Sequence, residues 1–291
     1  MGRKSHAKAL SLWANGQRVG TWRIPTRGEM ELQYDEAWMK SELGRQLSLS
    51  LPFGVDTTPL RGARVQNYFD NLLPDSEAIR RRIAARFKTA SLDPFDLLTA
   101  IGRDCVGALQ LLGEDEVPKR IDIIDGAAIG EGEIEKLLIE AVTAPGPGAH
   151  ADDDDLRFSI AGAQEKTALL WHDGKWMRPH GATPTTHILK LPLGLIGNRK
   201  VDLSTSVENE WLCMKILRAY GLPVAECDVR TFGKQKVLSV TRFDRQLHSS
   251  GTWYLRLPQE DFCQALGRSP LAKYEADGGP GLVGLSPLLK Q

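Results

Sequence analysis

Apolar and polar positions alternate along residues 8–34: Leu10 and Leu12 lead to Asn15-Gly16, and Val19, Trp22 and Ile24 follow. Period-two alternation predicts half-buried strands, and Asn-Gly between two such runs predicts a tight hairpin. Residues 47–53 (LSLSLPF) alternate again and predict a further strand. From about residue 65 the period becomes helical. Ile79, Ile83 and Phe87 recur every four residues behind Ser76, a candidate N-cap. Residues 93–101 continue with Phe95, Leu97, Leu98 and Ile101, and Gly102 follows. A third helix is predicted over 131–143, with Ile134, Leu137, Leu138 and Val142 on one stripe.

The pattern then breaks. Ala144 to Ala151 is rich in Pro and Gly, and Asp152 to Asp155 places four carboxylates in a row. Adjacent like charges favour an extended chain and point in divergent directions, so this run predicts a unit boundary rather than a metal site. Beyond it the order is informative. The strand-like FSI (158–160) enters Ala161-Gly162-Ala163-Gln164, a strand covers 166–171, and Asp173-Gly174 turns the chain into Lys175-Trp176-Met177. The β-rich run TTHILKL (185–191) carries a single Lys190. A helix over 209–220 has Leu212, Ile216 and Tyr220 on one stripe and Gly221 as its stop. Strands over 225–231 and 236–241 end at Arg242-Phe243-Asp244.

Length, charge and cysteine usage narrow the classes. At 291 residues, 42% hydrophobic and 25% charged, the chain predicts two packed units with sizeable cores and excludes wholesale disorder. Lys+Arg and Asp+Glu both count 37. Zero net charge argues against a nucleic-acid binder acting alone, because phosphate contacts need an excess of basic residues. Arg80, Arg81, Arg82, Arg86 and Lys88 cluster on the first helix; they suit a solvated face, or contact with an anionic or protein partner. The four cysteines include no C-x-x-C pair and the six histidines no H-x-x-x-H, so free thiols in a reducing compartment are expected and no zinc site. Neither a membrane-length apolar run nor an apolar signal core is present, and position 6 is His6 where myristoylation needs Ser or Thr. A cytoplasmic protein is expected.

A strand, a small-residue loop, a returning strand, a strand with one Lys, a helix with acids and then a hairpin is the order of a protein-kinase N-lobe. Ala and Gly let backbone N–H groups approach phosphate oxygens. A lysine on the next strand reaches the α/β-phosphates when a helix carboxylate holds it, and Glu210 or Glu208 is placed to serve. Singly these signals are weak, and the loop matches neither the Walker pattern nor G-x-G-x-x-G.

Longer motifs add a resemblance. FSIAGAQEKT (158–167), TPTTHILKLP (183–192), SVENEW (206–211), RFDR (242–245) and RLPQEDFCQALG (256–267) closely resemble the signatures of the HipA toxin kinases of bacterial HipBA modules. LSLSLP (47–52) and YFDNLLPD (68–75) resemble that family's N-terminal segment. The resemblance implies an α+β, kinase-like fold: an N-terminal subdomain over 1–116, a helical linker and acidic loop over 117–154, and a five-stranded kinase N-lobe with one helix over 155–291. It implies Ser/Thr kinase activity with ATP and Mg2+, a HipB-like antitoxin as partner, DNA contact only through that antitoxin, and glutamyl-tRNA synthetase as target. It assigns Ala161, Gly162, Ala163, Gln164, Glu165 and Lys166 to the phosphate loop, Lys190 to the nucleotide, Thr241, Arg242 and Phe243 to the adenine hinge, and Ser159 to autophosphorylation. Position 241 is Thr where the most familiar member has Glu.

The family's catalytic Asp, the Asn near it and its second metal-binding Asp have no counterpart in this sequence. The last Asn is Asn209, and beyond Asp244 only Asp261 and Asp277 remain, neither followed by an Asn. The sequence therefore leads us to expect a chain truncated before the catalytic C-lobe and inactive alone. The alternative expectation is a fragment that binds antitoxin or nucleotide without transferring phosphate. A product that exposes apolar surface and misfolds is also open.

Overall fold

The computed structural model describes residues 8–143, 158–196 and 200–290. β1 (Lys8–Ala14) and β2 (Gln17–Ile24) form the expected hairpin, with Asn15 and Gly16 both at positive φ as this turn requires. β3 (Glu31–Tyr34), α1 (Glu36–Lys40), β4 (Leu60–Arg61), α2 (Ala63–Asp70), α3 (Glu77–Phe87), α4 (Pro94–Ile101), β5 (Asp104–Cys105) and β6 (Leu109–Gly113) follow. The strands assemble as β4-β3-β2-β1-β6. Because strand side chains alternate, Leu10, Leu12 and Ala14 share one buried face, and α2 and α4 cover it. Trp22 stacks on Phe69 at 3.8 Å between ring centroids, and Phe95 leans on the same indole at 4.8 Å.

Residues 47–53 are not the strand that their alternation predicts. Leu51 N–H donates to the Ser48 carbonyl at 3.0 Å, and the Ser48 and Ser50 hydroxyls both donate to the Gln264 carbonyl. Short serine side chains offer the backbone an alternative to a ladder, and here they dock a distant segment.

The second unit holds β7 (Gly126–Ala128), α5 (Glu131–Val142), β8 (Phe158–Ser159), β9 (Lys166–His172), β10 (Lys175–Pro179), β11 (His187–Lys190), β12 (Gly194–Ile196), β13 (Val201–Leu203), α6 (Ser206–Ala219), β14 (Cys227–Phe232), β15 (Gln235–Thr241), β16 (Arg245–Leu247), β17 (Tyr254–Arg256) and α7 (Phe262–Ala265). Six strands pair as β14-β15-β11-β9-β10-β7. The FSI segment is not in this sheet. β8 instead pairs in parallel with β5 of the first unit, Asp104 opposite Phe158 and Cys105 opposite Ser159. The sixth strand is β7, from the segment expected as a linker.

Two helices rather than one cover the sheet. α5 buries Ile134, Leu137 and Leu138 against Leu169, Leu189 and Val237, so residues 126–142 belong to this core. Ile134→Val is expected to lower stability by about 1 kcal/mol in urea denaturation; no change would mean that α5 does not pack here. α6 covers the opposite face through Val207, Trp211 and Met214 against Cys227, Leu238 and Val240. The stripe expected to be buried, Leu212, Ile216 and Tyr220, faces solvent instead. α6 carries apolar residues on several faces, so periodicity alone could not choose between them. The Pro/Gly stretch from Ala144 to Ala151 and the run Asp152–Asp155 lie outside the described residues.

Candidate functional site

Lys190 and Lys166 stand directly opposite each other on β11 and β9. Since Leu189 points into the α5 core, Lys190 points the other way, towards α6. There its Nζ donates to Glu210 Oε1 at 2.6 Å, with both side chains about a quarter exposed. Glu210 is the partner because it lies on the stripe that runs through Val207, Trp211 and Met214. Glu208, the other candidate, turns to Lys236.

The loop before β9 closes over these lysines. Gly162 has φ of +112°, a conformation that favours glycine, and a Cβ built there would lie 2.8 Å from Lys166 Nζ and push that ammonium aside. Lys166 Nζ donates to the Ala161 carbonyl at 2.8 Å. Gln164 Nε2 donates to the Leu191 carbonyl, and Leu191 N–H donates to the Glu165 carbonyl at 3.1 Å. Glu165 pairs with Arg82 of α3, and Asp75 N–H donates to the Gly162 carbonyl at 3.2 Å. The first unit therefore holds the loop from outside. Arg82 is not alone in meeting a carboxylate: Arg80 pairs with Asp70, Arg81 with Glu77 and Arg86 with Glu140.

Burial, and then the charge of Lys190, lowers the Lys166 pKa to about 8. The sign follows from linkage. An unfolded lysine titrates near pH ~10.4, so the cost of burying the charge is full below about 8 and is relieved as the pH rises through that window. Stability of the ligand-free chain should therefore rise between pH 8 and 10 relative to Lys166→Met. Equal pH slopes for the two proteins in thermal denaturation would contradict this.

The segment expected as the adenine hinge divides. Thr241 N–H donates to the Glu226 carbonyl, Thr241 Oγ1 meets His187 Nε2 at 3.2 Å, and the Phe243 ring is exposed. Burial, and then the charge of Arg230, lowers the His187 pKa to about 4, so the ring is neutral at pH 7. Arg242 does not line a cleft. Its N–H donates to the Thr186 carbonyl, and its guanidinium is buried in an ionic network that joins the two units. In that network Asp104 of β5 accepts from Arg245 Nη2 at 2.9 Å, Arg256 Nε at 3.2 Å, Arg242 Nη1 at 3.3 Å, and Thr185 through its N–H and hydroxyl at 3.0 and 2.7 Å. Asp244 accepts from Arg242 Nη2 at 2.8 Å, Arg245 Nη1 at 2.9 Å and Gly107 N–H at 2.8 Å. Burial alone would raise both carboxyl pKa values, but the guanidinium groups overcome it, holding Asp104 well below the usual range and lowering Asp244 too. Burial, and then the charge of Arg242, lowers Arg245 to about 10. Asp104 was not singled out in the sequence, because its arginine partners lie more than a hundred residues away.

Ser159 is fully buried and its hydroxyl donates to the Leu72 carbonyl at 2.6 Å. Asp261 caps α7, accepting from Gln264 N–H at 2.7 Å, and Asp277 ends a short 3-10 turn. Among the described residues no three His, Cys, Asp or Glu side chains gather as ligands for a metal ion. The acids in and around the loop are each held by a cation: Glu165 by Arg82, Glu210 by Lys190, Glu208 by Lys236 and Asp75 by Lys273. The lysines and the loop suit a polyphosphate; the acids present do not suit Mg2+. No described helix is long and apolar enough to cross a membrane.

Models of two known domains match the chain. The model of the HipA N-terminal domain matches residues 10–112, and that of the HipA-like C-terminal domain matches residues 158–291. A "putative kinase Y4mE" of Sinorhizobium fredii is 34% identical over 287 residues, covering 98% of this chain and 65% of that protein. A "serine/threonine-protein kinase toxin HipA" of Shewanella oneidensis is 29% identical over 262 residues, covering 88% of this chain and 54% of that one. The solved structure of a Shewanella oneidensis HipA, HipB and operator DNA complex superposes with a TM-score of 0.71 at 26% identity, over 95% of this chain and 60% of the matched chain. The chain thus spans less than two thirds of the length of each of these relatives.

Proposed function

Since the chain belongs to the HipA family, we propose that it forms the nucleotide-binding part of a HipA-type serine/threonine kinase, a toxin held by a HipB-like antitoxin. The observation that carries this reading is the Lys190–Glu210 pair facing a glycine loop across two neighbouring strands. Glu210 keeps the Lys190 ammonium fixed as a point charge for the α/β-phosphates. Gly162 leaves the backbone open to phosphate oxygens, and Lys166, released from the Ala161 carbonyl, adds a second cation. ATP supplies the transferable γ-phosphoryl group. Phe243 offers its backbone and a ring edge to adenine beside Thr241, while Arg242 acts through the buried network that fixes the strand end.

Mg2+ ligands do not assemble from the described residues. The placement of Asp261 as a helix cap favours the narrower reading that this chain binds nucleotide without itself transferring phosphate. Phosphorylation of Ser159 requires β8 to leave its buried slot beside β5, and a dianionic group there would repel bound nucleotide. DNA contact through the antitoxin and glutamyl-tRNA synthetase as target belong to the same proposal.

The test is titration calorimetry of the purified chain with ATP, followed by incubation with γ-labelled ATP and magnesium. Saturable binding without label supports the narrower reading. Label at Ser159 supports transfer by this chain, and no binding at all overturns both.

A further inference from the structure

A third lysine reaches the loop from a part of the chain that the nucleotide reading does not use. Lys273 follows the 3-10 turn Pro270–Ala272 and donates to Asp75 Oδ2 at 2.8 Å, with both side chains partly buried. Asp75 is itself tied to the loop. Its N–H donates to the Gly162 carbonyl, and the preceding Pro74 forms a parallel bridge with Gly162. Lys273 lies close enough to Lys166 for the two charges to oppose each other, as those of Lys166 and Lys190 do. Lys166, Lys190 and Lys273 are thus gathered about the glycine turn with the carboxylates of Asp75, Glu210 and Asp261. The Lys166 ammonium spends its hydrogen bond on a backbone carbonyl.

A lysine ammonium that donates to a backbone carbonyl rather than to a carboxylate, beside two further lysines, suits an anion that can draw all three. A partly exposed Lys–Asp pair is weak enough to exchange, and a lysine ammonium on its flexible stem can move from a carboxylate to a phosphate oxygen. We propose that Lys273 is a third cation of this anion site, held by Asp75 in the free chain and passed to the distal phosphate of a polyphosphate chain on binding. This rests on, and deepens, the nucleotide reading of the loop. The shared chemistry is a linear polyphosphate, whether carried on a nucleoside or free.

The test is titration calorimetry of the full chain with tripolyphosphate, ATP and adenosine as separate probes. Lys273→Ala is expected to weaken tripolyphosphate and ATP about tenfold and to leave adenosine unchanged, with Lys273→Arg restoring most of the loss. Asp75→Asn, by freeing Lys273, should tighten tripolyphosphate about threefold, and that gain should vanish in the Asp75→Asn/Lys273→Ala double variant. Unchanged binding by Lys273→Ala overturns the proposal. So does weaker binding by Asp75→Asn, which would make the pair a structural clasp, or a gain that persists in the double variant. Binding of tripolyphosphate with the expected variant pattern but no binding of ATP would leave the anion site standing and sink the nucleotide reading. Binding of ATP that ignores both substitutions would do the reverse. Melting curves of each variant confirm that the arginine and asparagine forms compare folded proteins.

Discussion

Asp104→Asn is expected to lower the stability of the chain by roughly 3–5 kcal/mol, as breaking a buried ion pair typically does. The aspartate is buried among Arg242, Arg245 and Arg256, and Asp244 is the second carboxylate in the same volume. Three guanidinium groups with one carboxylate leave uncompensated charge out of water, and an amide would also present hydrogens where donors already point. Asn is nearly isosteric, so the loss would report charge and not a cavity. Thermal unfolding should shift down by about 10 °C. A shift of a degree or less would mean that the network does not hold the units together.

Acid dependence supplies a second check on the same groups. Asp104 and Asp244 titrate lower when folded than when unfolded, where an aspartate titrates near pH ~3.9. Their contribution is therefore present above about pH 4 and is lost as the pH falls through the folded values. The wild type should lose stability in that window more steeply than Asp104→Asn.

Lys190→Ala has the opposite profile. Its effect falls on the ligand and hardly on the fold, because Lys190 and Glu210 remain about a quarter exposed and such a pair stabilises by about 0–1 kcal/mol. Against a phosphate, a charge-assisted hydrogen bond is worth roughly 1.5–3 kcal/mol, so ATP affinity should fall by about 10- to 150-fold. Glu210→Gln keeps the ammonium but releases its position, and a smaller loss, on the order of tenfold, is expected. Equal ATP affinity for wild type and Lys190→Ala, measured by calorimetry on proteins with the same melting temperature, would remove the lysine from the site.

The parts legible in the sequence are those set by neighbours along the chain. Asn15-Gly16 dictates its hairpin because its own backbone conformation demands it. The single Lys190 in an apolar run and the acids on the following helix meet because strand alternation and helix periodicity place them. Long-range choices were not legible. LSLSLPF alternates like a strand, yet its serines are claimed by Gln264, over two hundred residues away. FSI reads as the first strand of the second sheet, yet β8 lies on β5. Gly126–Ala128 has no strand signal and becomes an edge strand because Met177, Arg178 and Pro179 pair with it. RFDR is conspicuous as a motif, but its role as an ionic joint depends on Asp104, which nothing local marks.

Hydrogen–deuterium exchange of the purified 291-residue chain, with and without saturating ATP, tests the central claim most directly. Slowed exchange at residues 161–166, 188–191, 241–243 and the α6 turn around Glu210, extending to the segment of Lys273, is the predicted result. Protection absent from the loop and from Lys190, or found instead on the α5 face of the sheet, would contradict the account.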